Sequence, residues 1–170
     1  WVIGTFLYLI HLGFGYYYLH RLRSSNLGEV EENWQEMFDY IKEKLQVRRF
    51  IGLYESALIQ TPMMIGLFKT IILMPLGLMN QLSVKEVEAI LAHEIAHFQR
   101  NDYIFNFCQL LIESIFYYHP AIWWISNKIR IERENCCDDV ALKICNNQLL
   151  YAKSLLYILQ KHPVHQNQVV

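Results

Sequence analysis

The sequence carries little charge, has no excess of either sign and contains few cysteines. Charged residues make up 18% of the chain, and the formal net charge is −1. Without a basic stripe there is no electrostatic footprint for a phosphate backbone, so we expect no nucleic-acid partner. The four cysteines have neither the spacing of a secreted disulfide framework nor that of a zinc knuckle. This pattern predicts free, reduced thiols.

Apolar and aromatic residues are what the chain has in excess. Hydrophobic residues account for 54% of the sequence and aromatic residues for 14%, which is high for a soluble domain. The 170 residues are enough for one domain with a core and a membrane segment besides. The chain opens on Trp1 without a signal-peptide layout, so we expect an internal fragment of a longer protein.

The apolar excess is concentrated at the start of the chain. Residues 1–20 are almost wholly apolar, and about 20 helical residues are enough to cross a hydrocarbon core. The tyrosines at 16–18 are followed by Arg21 and Arg23, the order of an aromatic belt and then cytoplasmic positive charge. The sequence therefore predicts a transmembrane helix at residues 1–20 in the cell membrane, with the rest on the cytoplasmic side. A buried helix of a soluble core is the alternative.

Residues 21–160 predict an α+β domain that is mainly helical with a small sheet. We expect strands at Phe50–Tyr54, Met63–Leu67 and Thr70–Met74, and amphipathic or charged helices at Glu29–Leu45, Lys128–Leu142 and Gln148–Gln160. The apolar segment Tyr103–Ile125 predicts a buried or membrane-apposed helix, broken near His119-Pro120, with a membrane span as the alternative. Residues 161–170 are polar, and we expect them to form a flexible end.

The stretch His93-Glu94-Ile95-Ala96-His97 has the pattern H-E-x-x-H inside a helical periodicity from Val84 to Gln99. Residues four apart on a helix lie one turn above each other, so both imidazoles leave one face and can bind one ion. Glu94 projects beside them. Ser83 and Glu86 form a capping box at the helix start. The alternative is a chance histidine pair in a surface or core, but the helical context favours a zinc site.

A catalytic zinc of this kind takes three protein ligands, and a later helix is the usual source of the third. Glu134 is the natural candidate, because Asp138 lies one turn further on the same face. The Asp138 carboxylate could accept the outer N–H of a ligating histidine. Glu132 is the rival, but it points about 160° away from Glu134 around a helix. Only one of these two glutamates can face the site.

These motifs in combination resemble a known family. They comprise Ala92–His97 with Arg100-Asn101-Asp102 after it, then His119–Trp124, and finally Arg130–Asp138. Together with the preceding apolar segment they are similar to the M56 membrane metallopeptidases, the BlaR/MecR antirepressor family, over roughly residues 1–157. The M48 peptidases, which include HtpX-like and CAAX proteases, are similar around the same two motifs.

The resemblance implies a gluzincin domain on the cytoplasmic side of a membrane. It implies Zn²⁺ held by His93, His97 and Glu134, with Glu94 as the catalytic residue that takes a proton from water and delivers it to the leaving amine. It also implies regulated, site-specific proteolysis in transmembrane signalling. The expected substrate is a protein or peptide, either a transcriptional repressor or the chain itself.

Several points stay open from the sequence. The developing oxyanion would need a second donor, and His119, Arg130 and Arg133 are candidates that the sequence does not rank. The domain could instead be a signal-transducing module with a structural zinc and no turnover. Glu94 weighs against that alternative, because a purely structural site has no use for a carboxylate beside its first ligand. Membrane lipid is an expected partner, and the sequence leaves a homodimer open.

Overall fold

The computed structural model describes residues 2–24, 27–66, 69–145 and 147–161. Across these ranges the chain is mainly helical, with one small sheet. The helices are α1 (Val2–Ser24), α2 (Glu32–Lys44), α3 (Val84–Gln99), α4 (Asp102–Ile115), α5 (Pro120–Cys145) and α6 (Gln148–Lys161), and the strands are β1 (Ile51–Ser56), β2 (Met63–Ile65) and β3 (Thr70–Pro75). The predicted α+β class is confirmed. Of the predicted flexible end at residues 161–170, Lys161 is the last residue of α6, and residues 162–170 lie outside the described residues.

The sheet has the order β1-β3-β2, so the last strand of the chain is the central one. β3 runs parallel to β1 and antiparallel to β2, and all six of its residues are buried. Gly66, at the turn after β2, has φ +108°, and a Cβ there would lie 2.6 Å from the Lys69 carbonyl oxygen. Only glycine fits that turn. The three predicted strands are confirmed to within two residues, except that Leu67 lies outside the described residues.

α3 is the helix around which the core forms. It has the predicted bounds, and the capping box between Ser83 and Glu86 is present. Helices α2, α4, α5 and α6 all pack against it, as does β2. Three of its fully buried residues are alanines, Ala89, Ala92 and Ala96. Such small side chains let neighbouring helices approach closely, which places the H-E-x-x-H residues among several elements.

α4 is the part of the core that differs most from expectation. The predicted apolar helix ends at Ile115, and Pro120 begins α5, where its missing N–H costs nothing. The buried residues of α4 are all polar, namely Asp102, Gln109, Glu113 and Ser114. Its large apolar residues point outward and are exposed, among them Ile104, Phe105, Phe107, Leu111 and Ile112. Of the two expected forms, a buried apolar helix is wrong and a membrane-apposed one stays a prediction, because the polar side of α4 faces inward and finds partners on α3 and α5.

α1 forms where the sequence predicts a transmembrane helix. It is 23 residues long, but no helix within the described parts of the chain is both long and apolar enough to cross a membrane. His11, three glycines and the consecutive tyrosines at 16–18 dilute its apolar run. The prediction of a membrane-spanning helix at residues 1–20 is thus corrected to a helix of mixed polarity.

Candidate metal centre

α3 and α5 bring the three predicted ligand atoms together. The Nε2 atoms of His93 and His97 lie 3.1 Å apart. Oε2 of Glu134 lies 3.5 Å from the first and 3.6 Å from the second. A tetrahedral zinc ion with bonds of about 2.0–2.1 Å holds its ligand atoms roughly 3.3 Å apart. The three side chains therefore fit a zinc ion, while the rival Glu132 is exposed elsewhere on α5.

One side of this group of ligands faces solvent. The side chains of His93 and His97 are only 12% and 16% exposed, whereas that of Glu134 is 53% exposed. A structural zinc site is closed by four protein ligands, and a catalytic site keeps one position open. Three candidate ligands with one side open to solvent match the arrangement of a catalytic site more closely than that of a structural one.

The outer nitrogen of His97 is held by the first residue of α4. Nδ1 of His97 lies 2.8 Å from Oδ2 of Asp102, whose side chain is 7% exposed. The Cys137 sulfur lies 3.3 Å from the same nitrogen and 3.4 Å from the same carboxylate oxygen. A carboxylate that accepts the Nδ1 proton fixes the tautomer that leaves Nε2 free to bind a metal.

The outer nitrogen of His93 has an equivalent set of partners from α5 and α6. Nδ1 of His93 lies 3.0 Å from Oδ1 of Asp138 and 2.8 Å from the Tyr151 hydroxyl. The structure thus places Asp138 beside a ligand histidine, one turn beyond Glu134. Each histidine presents Nε2 to the ligand group and Nδ1 to a carboxylate.

The electrostatics of the site favour positive charge. Burial disfavours a proton on His97, but contacts with Cys137 and Glu134 and the charge of Glu94 outweigh it and raise the pKa of His97 to about 11. Contacts with His93 and His97 hold the pKa of Glu134 well below its ordinary value. A cluster that stabilises a proton in this way is suited to a divalent cation, which replaces that proton when it binds.

Glu94 lies beside this group on α3. Burial raises the pKa of Glu94 above its ordinary value, although the neighbouring imidazoles oppose the shift. A carboxyl with a raised pKa is suited to taking up a proton and passing it on near neutral pH.

The three candidates for a second oxyanion donor each have a hydrogen-bond or ion-pair partner other than the ligand atoms. His119 is exposed, its Nδ1 accepts the Ala121 N–H, and about 20 Å of continuous helix separates it from Glu134. The Arg130 guanidinium pairs with Glu113 of α4. Arg133 Nη2 lies 3.5 Å from Oδ1 of Asn106, also on α4. Both guanidinium groups are therefore engaged with α4.

Three residues of the site are absent from the sequence-based set. The sequence indicates Asp102 only as part of the Arg100-Asn101-Asp102 motif. In the structure Asn101 adopts a left-handed φ of 59° that turns the chain and returns Asp102 to His97. An asparagine just after a helix is a known signal for such a turn. Cys137 and Tyr151 carry no local signal, because their roles depend on how α5 and α6 pack.

This arrangement of two histidines from one helix, a glutamate from a later helix and an adjacent carboxylate is of the metallopeptidase type. The chain belongs to the BlaR1 peptidase M56 family, whose family model matches residues 1–170. The resemblance to the M56 metallopeptidases is thereby confirmed, and the M48 alternative is set aside.

Several bacterial regulatory and resistance proteins are similar in sequence to this chain. The methicillin resistance mecR1 protein of Staphylococcus aureus is 29% identical over 172 residues, which cover 99% of this chain and 29% of that protein. The mecR1 protein of Staphylococcus epidermidis gives the same values. Regulatory protein BlaR1 of Bacillus licheniformis is 26% identical over 131 residues, covering 72% of this chain and 22% of that protein. The chain thus spans less than a third of the length of these relatives.

Proposed function

We propose that this chain is the catalytic domain of a membrane-associated zinc endopeptidase that performs regulated, site-specific proteolysis. The observation that carries the proposal is the spacing of the ligand atoms of His93, His97 and Glu134, with an open side and Glu94 adjacent. Membership of a peptidase family supports the same reaction class.

The residues divide the chemistry between them. His93, His97 and Glu134 would hold the zinc ion, which when bound polarises a scissile carbonyl and acidifies water. Glu94 accepts a proton from the attacking water and delivers it to the leaving amine, a transfer helped by its raised pKa. Asp102 and Asp138 keep the two imidazoles in the tautomer that binds metal.

The substrate of the proposed reaction is an extended segment of a protein. β2 is an edge strand of the sheet and contacts α3, the helix that carries Glu94. An edge strand binds an extended peptide through main-chain hydrogen bonds. The names of the relatives, a regulatory protein and a resistance protein, support a signalling role. We take a transcriptional repressor or the protein itself as the substrate.

The outer surface of α4 supports contact with membrane lipid. α4 buries its polar residues and exposes its apolar ones, the reverse of a helix at a water-facing surface. α1 also exposes large apolar residues, including Ile3, Phe6, Leu7 and Phe14. Exposed apolar surface of this extent marks a membrane or protein contact. We therefore propose that the domain lies against the cell membrane, and the positive charge of Arg21 and Arg23 after the tyrosines supports the cytoplasmic face.

The experiment that tests the metal site is the amount of bound zinc per chain, measured by elemental analysis in detergent. We expect near one zinc in the wild type and in Glu94→Ala, and loss of zinc in Glu134→Ala. Glu132→Ala is the matched control, because it removes an exposed glutamate from the same turn of α5 and should keep its zinc. No zinc in the wild type, or loss with Glu132→Ala alone, would contradict the ligand assignment.

A signalling module with a structural zinc and no turnover predicts the same zinc content. The two functions differ in what Glu94 does. If the chain is a peptidase, the wild type that contains zinc cleaves at least one protein that the Glu94→Ala variant does not cleave. If the two proteins show no such difference in cleavage, the structural alternative is correct.

A further inference from the structure

We infer, on the basis of the proposed function, that Tyr151 is a positioning residue for the metal ligand His93. Tyr151 belongs to α6, which carries none of the ligands or the general base. Docking of α6 against α3 would then be a condition for a complete metal site.

The Tyr151 hydroxyl contacts both members of the His93–Asp138 pair. It lies 2.8 Å from Nδ1 of His93 and donates to Oδ1 of Asp138 over 2.5 Å. The two rings lie 6.4 Å apart between centroids, tilted by 35°. Tyr151 is 4% exposed, so water does not compete strongly for its hydroxyl. Three polar groups from three helices thus converge on one point.

The protons in this triangle can be assigned from the donors and acceptors present. An ionised carboxylate only accepts, so the Tyr151 O–H proton goes to Asp138. The Tyr151 hydroxyl oxygen and the Asp138 carboxylate then both face Nδ1 of His93 as hydrogen-bond acceptors. They receive a hydrogen bond from His93 only when its ring proton is on Nδ1. The tautomer with a free Nε2, the one that binds metal, is favoured by this arrangement.

Tyr151 also anchors Asp138 itself. The Asp138 side chain is 33% exposed, whereas Asp102, its counterpart beside His97, is 7% exposed. A partly exposed carboxylate can rotate toward water, and a buried hydroxyl that donates to it opposes that rotation. Tyr151 thus has the same relation to the His93–Asp138 pair that the buried Cys137 has to the His97–Asp102 pair, but the carboxylate that Tyr151 supports is the more exposed one.

The position of Tyr151 is set by the packing of α6. The Tyr151 ring belongs to the main hydrophobic core, and its backbone oxygen accepts a hydrogen bond from the fully buried Ser154 hydroxyl. Tyr157 provides a comparison on the same helix. Its hydroxyl donates to Oε1 of Gln81, 3.2 Å away, a residue outside the proposed ligand group.

The test compares the zinc affinities of Tyr151→Phe and Tyr157→Phe, measured on the full chain by competition with a chromophoric chelator. Both variants lose one hydroxyl from α6 and keep the ring. We expect Tyr151→Phe to bind zinc at least about 10-fold more weakly than the wild type, the lower end of the effect of losing an outer-shell partner. Tyr157→Phe should remain within about twofold.

A second measurement separates positioning from a general effect on packing. If the hydroxyl acts through Asp138, the losses caused by Tyr151→Phe and Asp138→Asn are not additive in the double variant, whereas those of Tyr157→Phe and Asp138→Asn are. Additive losses for the first pair would overturn the inference. Unchanged affinity in Asp138→Asn, a partly exposed position that leaves the core intact, would overturn it even if Tyr151→Phe failed to fold.

The outcomes also distinguish this inference from the proposed function. Absence of zinc from the wild type would overturn both. Zinc in the wild type with unchanged affinity in Tyr151→Phe, or with equal weakening in Tyr157→Phe, would overturn the role of Tyr151 and leave the zinc peptidase proposal standing.

Discussion

The two histidines proposed as metal ligands use their ring nitrogens in the same way but have different surroundings. Nε2 of each faces the ligand group, and Nδ1 of each meets a carboxylate. The partner of His97 is buried and follows it by five residues, and the partner of His93 is partly exposed and lies on another helix. The tautomer of each imidazole, and with it the affinity for metal, therefore depends on residues that never touch the ion.

Asp102→Asn tests the partner of His97. An amide at this position can donate to Nδ1 and favour the wrong tautomer, so we expect zinc affinity to fall by about 10–100-fold in a chelator competition. Asp139→Asn is the control, because Asp139 is exposed on α5. Equal affinities in the two variants would show that Asp102 does not orient His97.

Glu94→Gln tests the proton-transfer residue. The amide cannot accept a proton, so cleavage should fall by about 10²–10⁴-fold while zinc content stays near that of the wild type. Cleavage is followed by mass spectrometry of a peptide mixture and of the chain itself. Glu88→Gln, six residues earlier on α3, should retain activity. Full activity of Glu94→Gln would remove Glu94 from the mechanism.

At the scale of elements, α3 is held at both of its ends. The capping box provides hydrogen-bond acceptors for backbone N–H groups at its start, and Arg49 donates to a backbone carbonyl at its end. The Arg49 guanidinium donates to the Phe98 carbonyl at 3.4 Å and to Oδ1 of Asn101 at 2.6 Å, and it lies 4.5 Å from the centre of the Phe98 ring. The helix that carries the two proposed ligand histidines and the proposed general base is thereby kept from fraying.

Ser83→Ala tests the start of α3. We expect the free energy of unfolding at neutral pH to fall by about 1 kcal/mol, the usual cost of losing an N-cap side chain, with zinc content unchanged. Urea denaturation measures the loss. A variant as stable as the wild type would show that the cap does not stabilise this helix.

The difference in the free energy of unfolding between the wild type and Ser83→Ala should depend on pH. Hydrogen bonds from Ser83 lower the pKa of Glu86, so this contact stabilises the fold above the ordinary glutamate pKa of about 4.3 and is lost as the pH falls through the lower, folded-state value. The stability difference between the wild type and Ser83→Ala should therefore narrow in acid. A difference that widened below about pH 4 would contradict this assignment.

Across the whole molecule, one buried ion pair links three helices. Glu113 of α4, 1% exposed, pairs with Arg130 of α5 and also accepts a hydrogen bond from Gln109. The Tyr8 hydroxyl of α1 lies 3.4 Å from the other Glu113 oxygen. This cluster joins the exposed apolar helices α1 and α4 to the helix that carries Glu134.

Glu113→Ala tests this link. Removing the carboxylate leaves the Arg130 guanidinium largely buried without its charge partner, so we expect a loss of about 3 kcal/mol in the free energy of unfolding. Urea denaturation of the variant beside Glu132→Ala, an exposed glutamate of α5, measures it. A loss no larger than that of the control would show that the pair contributes little.

Metal should also stabilise the molecule as a whole. Zinc that binds only the folded chain adds about 2.7 kcal/mol at a free concentration 100 times the dissociation constant. The melting temperature should rise with zinc, return on addition of a chelator, and not respond in Glu134→Ala. An equal response in that variant would place the stabilising ion elsewhere.

Local pattern was enough to predict much of this protein. The 3.6-residue period and the capping box predict α3 with its observed bounds, and β-branched and apolar runs broken by glycine and proline predict the three strands. The i, i+4 spacings of α3 and α5 predict residues that the structure brings within 4 Å of one another. These signals are local because hydrogen bonding and side-chain direction repeat within a turn or two of the same element.

The sequence by itself thus determined most helices and strands and the family, and it predicted the ligand types, since each depends on residues a few positions apart. Only the tertiary structure decided which helices surround the proposed ligands and that the buried side of α4 is its polar side. It also decided that Tyr151 contacts His93, from which it is separated by 58 residues of chain. Such contacts depend on the rotation and register of helices packed against each other, and no short-range period specifies either.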